Sequence, residues 1–161
     1  MQINSQRFGV VELEDDAILN FPAGIIGFPR ERQFALIPHN GSQYLAWLQS
    51  VSSPELAFPV VSAHAFEQYP DVPVNQAAHA AGVLGAEDDY AVLAVLCAPI
   101  GQPATVNLLA PVVVNAQTRT GAQVILEGSR FSTREIFVMP KPAVRVEPVE
   151  VPNPVAVQAA G

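Results

Sequence analysis

The sequence predicts an all-β fold, mostly antiparallel and barrel-like, with one short helix. Three observations carry that expectation. Fifteen prolines and ten glycines break the 161-residue chain every few positions, and such punctuation favours short strands and turns over long helices. Between the breaks lie apolar runs of strand length. A single stretch, residues 75–83, is rich in alanine and reads as helix. Half of the residues are hydrophobic, enough for one core without metal or disulfide staples.

Taken in order, residues 8–13 read as a strand, followed by an acidic turn at Glu14-Asp15-Asp16. A second strand, 18–21, is closed by Pro22-Ala23-Gly24. Residues 34–37 and 44–48 flank Asn40-Gly41, a pair that takes the positive φ of a hairpin turn, with room for a loop longer than two residues. Residues 56–61 and 64–66 extend the pattern. Pro59 has no amide donor, which predicts an edge or bulged strand there. Asn75 is a good N-cap for the helix, and Gly82 or Gly85 can end it. The unbroken apolar run Tyr90–Cys97 predicts a central strand covered on both faces. Residues 105–109, 112–114 and 122–126 complete eight or nine strands, with 115–121 as a polar turn. From 138 to 161 the composition changes: Pro140, Pro142, Pro148, Pro152 and Pro154 alternate with valines. That predicts a flexible, extended tail after a domain spanning 1–137.

The formal charge is −7, from fifteen acids against eight bases. That opposes a phosphate-backbone binder, which needs clustered cations. It suits a basic partner, although acidity also serves solubility alone. Cys97 is the only cysteine; inside an apolar run it reads as a buried, inert thiol. The first residues lack the pattern of a signal peptide, and no apolar run approaches the ~20 residues of a membrane span. A cytoplasmic protein is expected.

Catalytic constellations are missing from the pattern. His39, His64 and His79 are not at metal-ligand spacing. Ser62 and Ser132 lack elbow glycines. Asp15-Asp16 and Asp88-Asp89 are sequence neighbours, whose side chains face apart on strands or turns. Gly24 and Gly27 do not form a phosphate loop. No enzyme activity, metal or cofactor is expected.

Four ordered segments resemble the FliW family. They are Phe21-Pro22-Ala23-Gly24-Ile25-Ile26-Gly27-Phe28; Trp47-Leu48-Gln49-Ser50-Val51 running on to Pro54, Leu56, Ala57 and Phe58; Thr105-Val106-Asn107-Leu108-Leu109-Ala110-Pro111-Val112-Val113-Val114-Asn115; and Arg119-Thr120-Gly121-Ala122-Gln123-Val124-Ile125-Leu126 followed by Ser132-Thr133-Arg134. Ile26 stands where the family usually has proline, and Glu135-Ile136 where it often has His-Pro. The resemblance covers about residues 1–137. It implies a monomeric, largely antiparallel β protein of flagellum biogenesis that acts as a flagellin chaperone in the cytoplasm. It also implies binding to the translational regulator CsrA, antagonised allosterically, with no direct contact to nucleic acid or membrane.

The stretch from Phe66 to Asp71 mixes aromatic and acidic residues before the helix. Phe66, Glu67, Tyr69 and Asp71 are therefore candidate contacts with a partner; the acid at 71 matches the family pattern. The alternative is that both rings cover the core. Asn107, Pro111 and Asn115 belong to the densest motif, either as partner contacts or as turn-builders whose amides bond backbone. Phe21, Gly24, Gly27 and Phe28 shape a turn, and Trp47 reads as core. A competing function is a non-catalytic β-barrel that holds a small apolar ligand in a cavity; a hydrolase is a third.

Overall fold

The structure, a computed structural model, describes residues 1–66, 69, 71–85 and 88–138, with backbone alone at His64, Asp71 and Val72. The Pro/Val-rich segment lies outside the described residues from 139 onward.

Strands β1 (Gln2–Ser5) and β2 (Gly9–Glu12) form a separate antiparallel hairpin. Its turn is held by the Ser5 hydroxyl, which accepts from the Arg7 and Phe8 amides at 3.2 and 3.0 Å. The main sheet is built from β3 (Ile18–Asn20), β4 (Gln33–Pro38), β5 (Leu45–Ser50), β6 (Ala57–Ser62), β7 (Tyr90–Cys97), β9 (Val112–Asn115) and β10 (Gly121–Gln123), ordered β10-β9-β7-β6-β5-β4-β3. All of its ladders are antiparallel. Strand β8 (Thr105–Val106) pairs with the far end of β7 and carries β11 (Glu135–Ile136). Helix α1 (Asp71–Ala80) lies between β6 and β7 in sequence.

The sheet curls until its two edge strands meet. The meeting is one parallel bridge between Asn20 and Thr120, where the Asn20 amide donates to the Arg119 carbonyl at 2.8 Å. The fold is thus barrel-like, joined at its seam by a bridge rather than a ladder.

Side chains alternate between the two faces of a strand. The inward set is almost wholly apolar: Leu19, Phe21, Phe34, Leu36, Leu48, Val60, Leu93, Val112 and Val114 form one buried cluster. Phe21 and Phe34 meet edge to face at 5.4 Å, the arrangement that aligns ring edge with ring face electrostatically. At the seam Gly121 is required by space. A Cβ there would fall 2.6 Å from the Phe21 ring.

The outward set is covered in three places. The β1–β2 hairpin packs Ile3, Val11 and Leu13 on Ala17, Ile18, Ala35 and Ile37. Helix α1 packs Val74 and Ala78 on Val113, Val124 and Leu126. Between them Tyr44, Val61, Ala94, Val106 and Leu108 form a third cluster.

Several sequence expectations need correction. The helix begins at Asp71, not at Asn75, which lies inside it. Pro73 does not prevent this, because amides of a first helical turn have no intrahelical acceptor. The helix ends at Ala80 and is closed by Gly82, one of the two glycines the sequence offers, which has φ +77. There the Gly82 amide donates to His79 and the Val83 amide to Ala78, the bond pair of a Schellman cap. Residues 63–65 form a 3-10 turn rather than a strand. Pro59 sits in an interior strand: its partner in β5 is Trp47, but the β6–β7 ladder starts only at Val60, so its missing donor costs nothing on that side. Cys97 is exposed, at the end of β7, not buried. The polar β1 and the two-residue β11 bring the strands to eleven among the described residues.

Candidate partner-binding surface

The candidate residues fall at the entry to α1, in the connection from β8 to β9 and, for Asn115, at the end of β9 beside the loop that follows α1. The first two join through Tyr69. Its hydroxyl donates to the Leu108 carbonyl at 2.6 Å, and its ring lies 5.3 Å from that of Phe131. The ring also packs against the clusters beneath the helix, and burial pushes its phenol well above the ordinary tyrosine range. Phe66 is half-buried, with its ring 5.7 Å from Phe137. Both aromatic candidates are therefore tied to the core and only partly buried. Asp71 is the first residue of α1; Glu67 lies outside the described residues.

Asn107, Pro111 and Asn115 shape the other two segments. The Asn107 amide donates to the Val95 carbonyl at 3.0 Å, and its side-chain oxygen accepts from the Ala110 amide at 3.0 Å. This side-chain turn ends β8 after two residues and redirects the chain. Pro111 is buried, and its carbonyl accepts from the Val124 amide at 2.9 Å. Asn115 is 1% exposed. Its amide group donates to the Val83 carbonyl at 2.9 Å and to an Asp88 carboxylate oxygen at 2.8 Å. Its side-chain oxygen accepts from the amides of Gln117 and Thr118 at 2.9 and 3.1 Å. Every polar atom of that side chain is engaged, as a buried amide requires. The three residues fix the path of the backbone and so the outline of the surface.

A second region of the sequence comes together at the seam. Gly24 has φ +70, and a Cβ there would lie 2.5 Å from the Phe28 carbonyl oxygen. The turn it permits leaves Ile26 and Phe28 about half exposed, with the Phe28 ring on Phe58 at 5.3 Å. The Ile26 amide donates to the Gln123 side chain at 3.0 Å, and Gln123 in turn donates to the Ala110 carbonyl at 2.9 Å. Trp47 packs on Phe8 and lies under the Arg7 guanidinium, 4.0 Å away. Among the described residues, no three His, Cys, Asp or Glu side chains are placed to hold a metal ion. No helix of the described residues is long and apolar enough to cross a membrane.

The geometry defines a class: a filled, barrel-like antiparallel scaffold whose polar side chains brace turns around one capping helix. The family profile described as "FliW protein" matches residues 2–137, and the chain belongs to the FliW family. It is 36% identical over 141 residues to a Heliobacterium modesticaldum protein named flagellar assembly factor FliW, covering 83% of this chain and 88% of that one. It is 37% identical over 129 residues to the protein of that name from Syntrophotalea carbinolica, covering 80% of this chain and 91% of that one. A crystal structure titled as the flagellar assembly factor FliW superposes with a TM-score of 0.71 at 30% identity, over 84% of this chain and 96% of that chain.

Proposed function

We propose that this chain is a cytoplasmic flagellar assembly factor that binds flagellin and, in competition with it, the translational regulator CsrA. The observation that carries the reading is family membership across the whole β domain, residues 2–137. In this reading the protein performs no chemistry. When flagellin is scarce, the free factor holds CsrA and relieves repression of flagellin mRNA; accumulated flagellin takes up the factor and frees CsrA. The antagonism is allosteric, acting away from the RNA-binding surface of the regulator. The net charge of −7 supports it, because CsrA-type regulators are basic and opposite charge raises encounter rates.

The entry to α1 is the favoured contact. The Phe66 and Tyr69 rings are held in place by Phe137, Phe131 and Leu108, so little entropy is lost on docking. Asp71→Lys is expected to weaken CsrA binding roughly tenfold or more while the circular-dichroism spectrum stays unchanged. Titration calorimetry giving the same dissociation constant for variant and parent would remove Asp71 from the contact. A pull-down from the native cell tests the reading itself: flagellin and CsrA should co-elute, and the absence of both would end it. The small-ligand alternative draws no support from the interior, which the Phe21, Phe34, Leu36 and Leu48 side chains fill.

A further inference from the structure

Where β3 ends and β4 begins, three segments enclose an open cavity of about 400 Å³. Asn20, Phe21 and Pro22 leave β3, Arg30, Arg32 and Gln33 enter β4, and Ser52 comes from the β5–β6 turn. Backbone bonds tie these walls together: the Phe21 amide donates to the Arg32 carbonyl at 2.8 Å and the Val51 amide to the Gln33 carbonyl at 3.0 Å.

The charge in this cavity is opposite to that of the protein as a whole. Two of the chain's eight basic residues line it, and no carboxylate does. Glu31, between the two arginines, does not line the cavity but turns its carboxylate to the serine turn at the cavity's edge, where Ser52 is shared by both. Its oxygens accept from the Ser50 hydroxyl at 2.6 Å, the Ser52 hydroxyl at 2.9 Å and the Ser53 hydroxyl. Those bonds hold its carboxyl below the ordinary carboxylate range. Among the described residues, neither Arg30 nor Arg32 has a carboxylate partner. The Gln33 amide donates to the Asn20 side-chain oxygen at 3.3 Å, which leaves the Asn20 NH2 as a further donor.

We propose that this cavity is a docking site for a side-chain carboxylate, Asp or Glu, carried on an acidic segment of a partner protein. A guanidinium presents paired N–H donors in the plane that a carboxylate accepts. The exposed Pro22 supplies an apolar surface for the stem of such a side chain. A nucleic-acid backbone fits less well, because two cations do not make a phosphate track and the net charge of −7 repels a polyanion. The inference is independent of the flagellin and CsrA reading and survives or fails separately.

The test is a titration of the full chain by NMR, following the arginine Nε–Hε signals. The probes are the pentapeptide Ala-Leu-Glu-Leu-Ala, capped at both ends, and its Gln counterpart. Further arms use the Gln peptide with a free C-terminal carboxylate, inorganic phosphate and a single-stranded oligonucleotide. The capped Glu peptide is expected to shift two arginine signals and bind about tenfold more tightly than the capped Gln peptide. That preference should shrink as salt rises and vanish in the R30A/R32A double variant. Both arginines are exposed, so the variant is expected to keep the parent amide spectrum elsewhere. Equal binding of the two capped peptides overturns the proposal, as does a double variant that keeps the Glu preference. Tighter binding of the free-terminus peptide, phosphate or oligonucleotide at these arginines overturns it as well, by assigning the cavity to another anion.

Discussion

At the seam between β3 and β10 the chain is held by shape: the Phe21 ring fills the space that Gly121 leaves. Beside α1 it is held by directed bonds, with Asn107, Asn115 and the Tyr69 hydroxyl each pinning backbone. The first device tolerates no added atom, and its failure opens the interior. The second device tolerates no lost donor, and its failure redirects a turn while the interior stays filled. At the seam packing acts beside the Asn20–Arg119 bond, whereas beside α1 side-chain hydrogen bonds set the course of the turns.

Substitution at Phe21 should break the seam most severely. Phe21→Ala is expected to cost about 3–5 kcal/mol, the range for a fully buried ring, measured by urea unfolding. Gly121→Ala should cost less, ~1–3 kcal/mol, by overpacking. In a Phe21→Leu background the added methyl should cost less again. Additive losses would show that ring and glycine do not share one space.

On the other side, Asn115→Ala is expected to cost about 1–3 kcal/mol, because the buried Val83 carbonyl loses its donor. The same variant should also loosen the 115–118 turn and the segment after α1 to which Asn115 is bonded, while the filled interior stays unchanged. An unchanged surface, read from amide shifts at 83–89 and 116–120, would contradict the division between shape and directed bonds.

The smallest effect concerns the turn after β5, away from both regions. Glu31 is bound by the hydroxyls of Ser50, Ser52 and Ser53, and its carboxyl sits below 4.5. The folded state therefore binds its proton less readily than the unfolded chain. The stability it contributes is fully present above 4.5 and is lost as pH falls through the lowered value. Solvent screening keeps it small. Glu31→Gln should flatten the acid limb of a stability-against-pH curve and leave neutral pH almost unaffected. An identical acid limb would show that the three hydroxyls do not favour the charged form.

Much of the scaffold is legible in the sequence wherever a strand is buried on both faces. Tyr90–Cys97 is predicted with its observed limits, because an unbroken apolar run has one explanation at that length. The hairpin at Asn40-Gly41 is likewise present, with Gly41 at φ +92. β1 and β11 are not legible: Gln2-Ile3-Asn4-Ser5 has one apolar side chain, and two residues carry no period. Pro59 misleads because only half of an interior strand is paired on both sides.

The candidate site is legible in part. That Asn115 bonds its own turn follows from local chemistry, but its donation to Val83 and Asp88 spans 32 and 27 positions and is set by tertiary packing. The sequence offers the alternative that Phe66 and Tyr69 cover the core, and each does make core contacts. Arg30 and Arg32 escape notice as an ordinary charge pair; the signal is that the only acid between them faces a serine-rich turn.

The bridge between Asn20 and Thr120 also governs how the molecule comes into being. Strands β3 to β6 are neighbours in the chain and can zip together during synthesis. The seam joins segments far apart along it, as the Ile26–Gln123 contact, 97 positions apart, also does. Such distant closure is slow, so a half-made chain carries two bare strand margins until its last third emerges. That interval is when the nascent protein is most open to clumping with its neighbours.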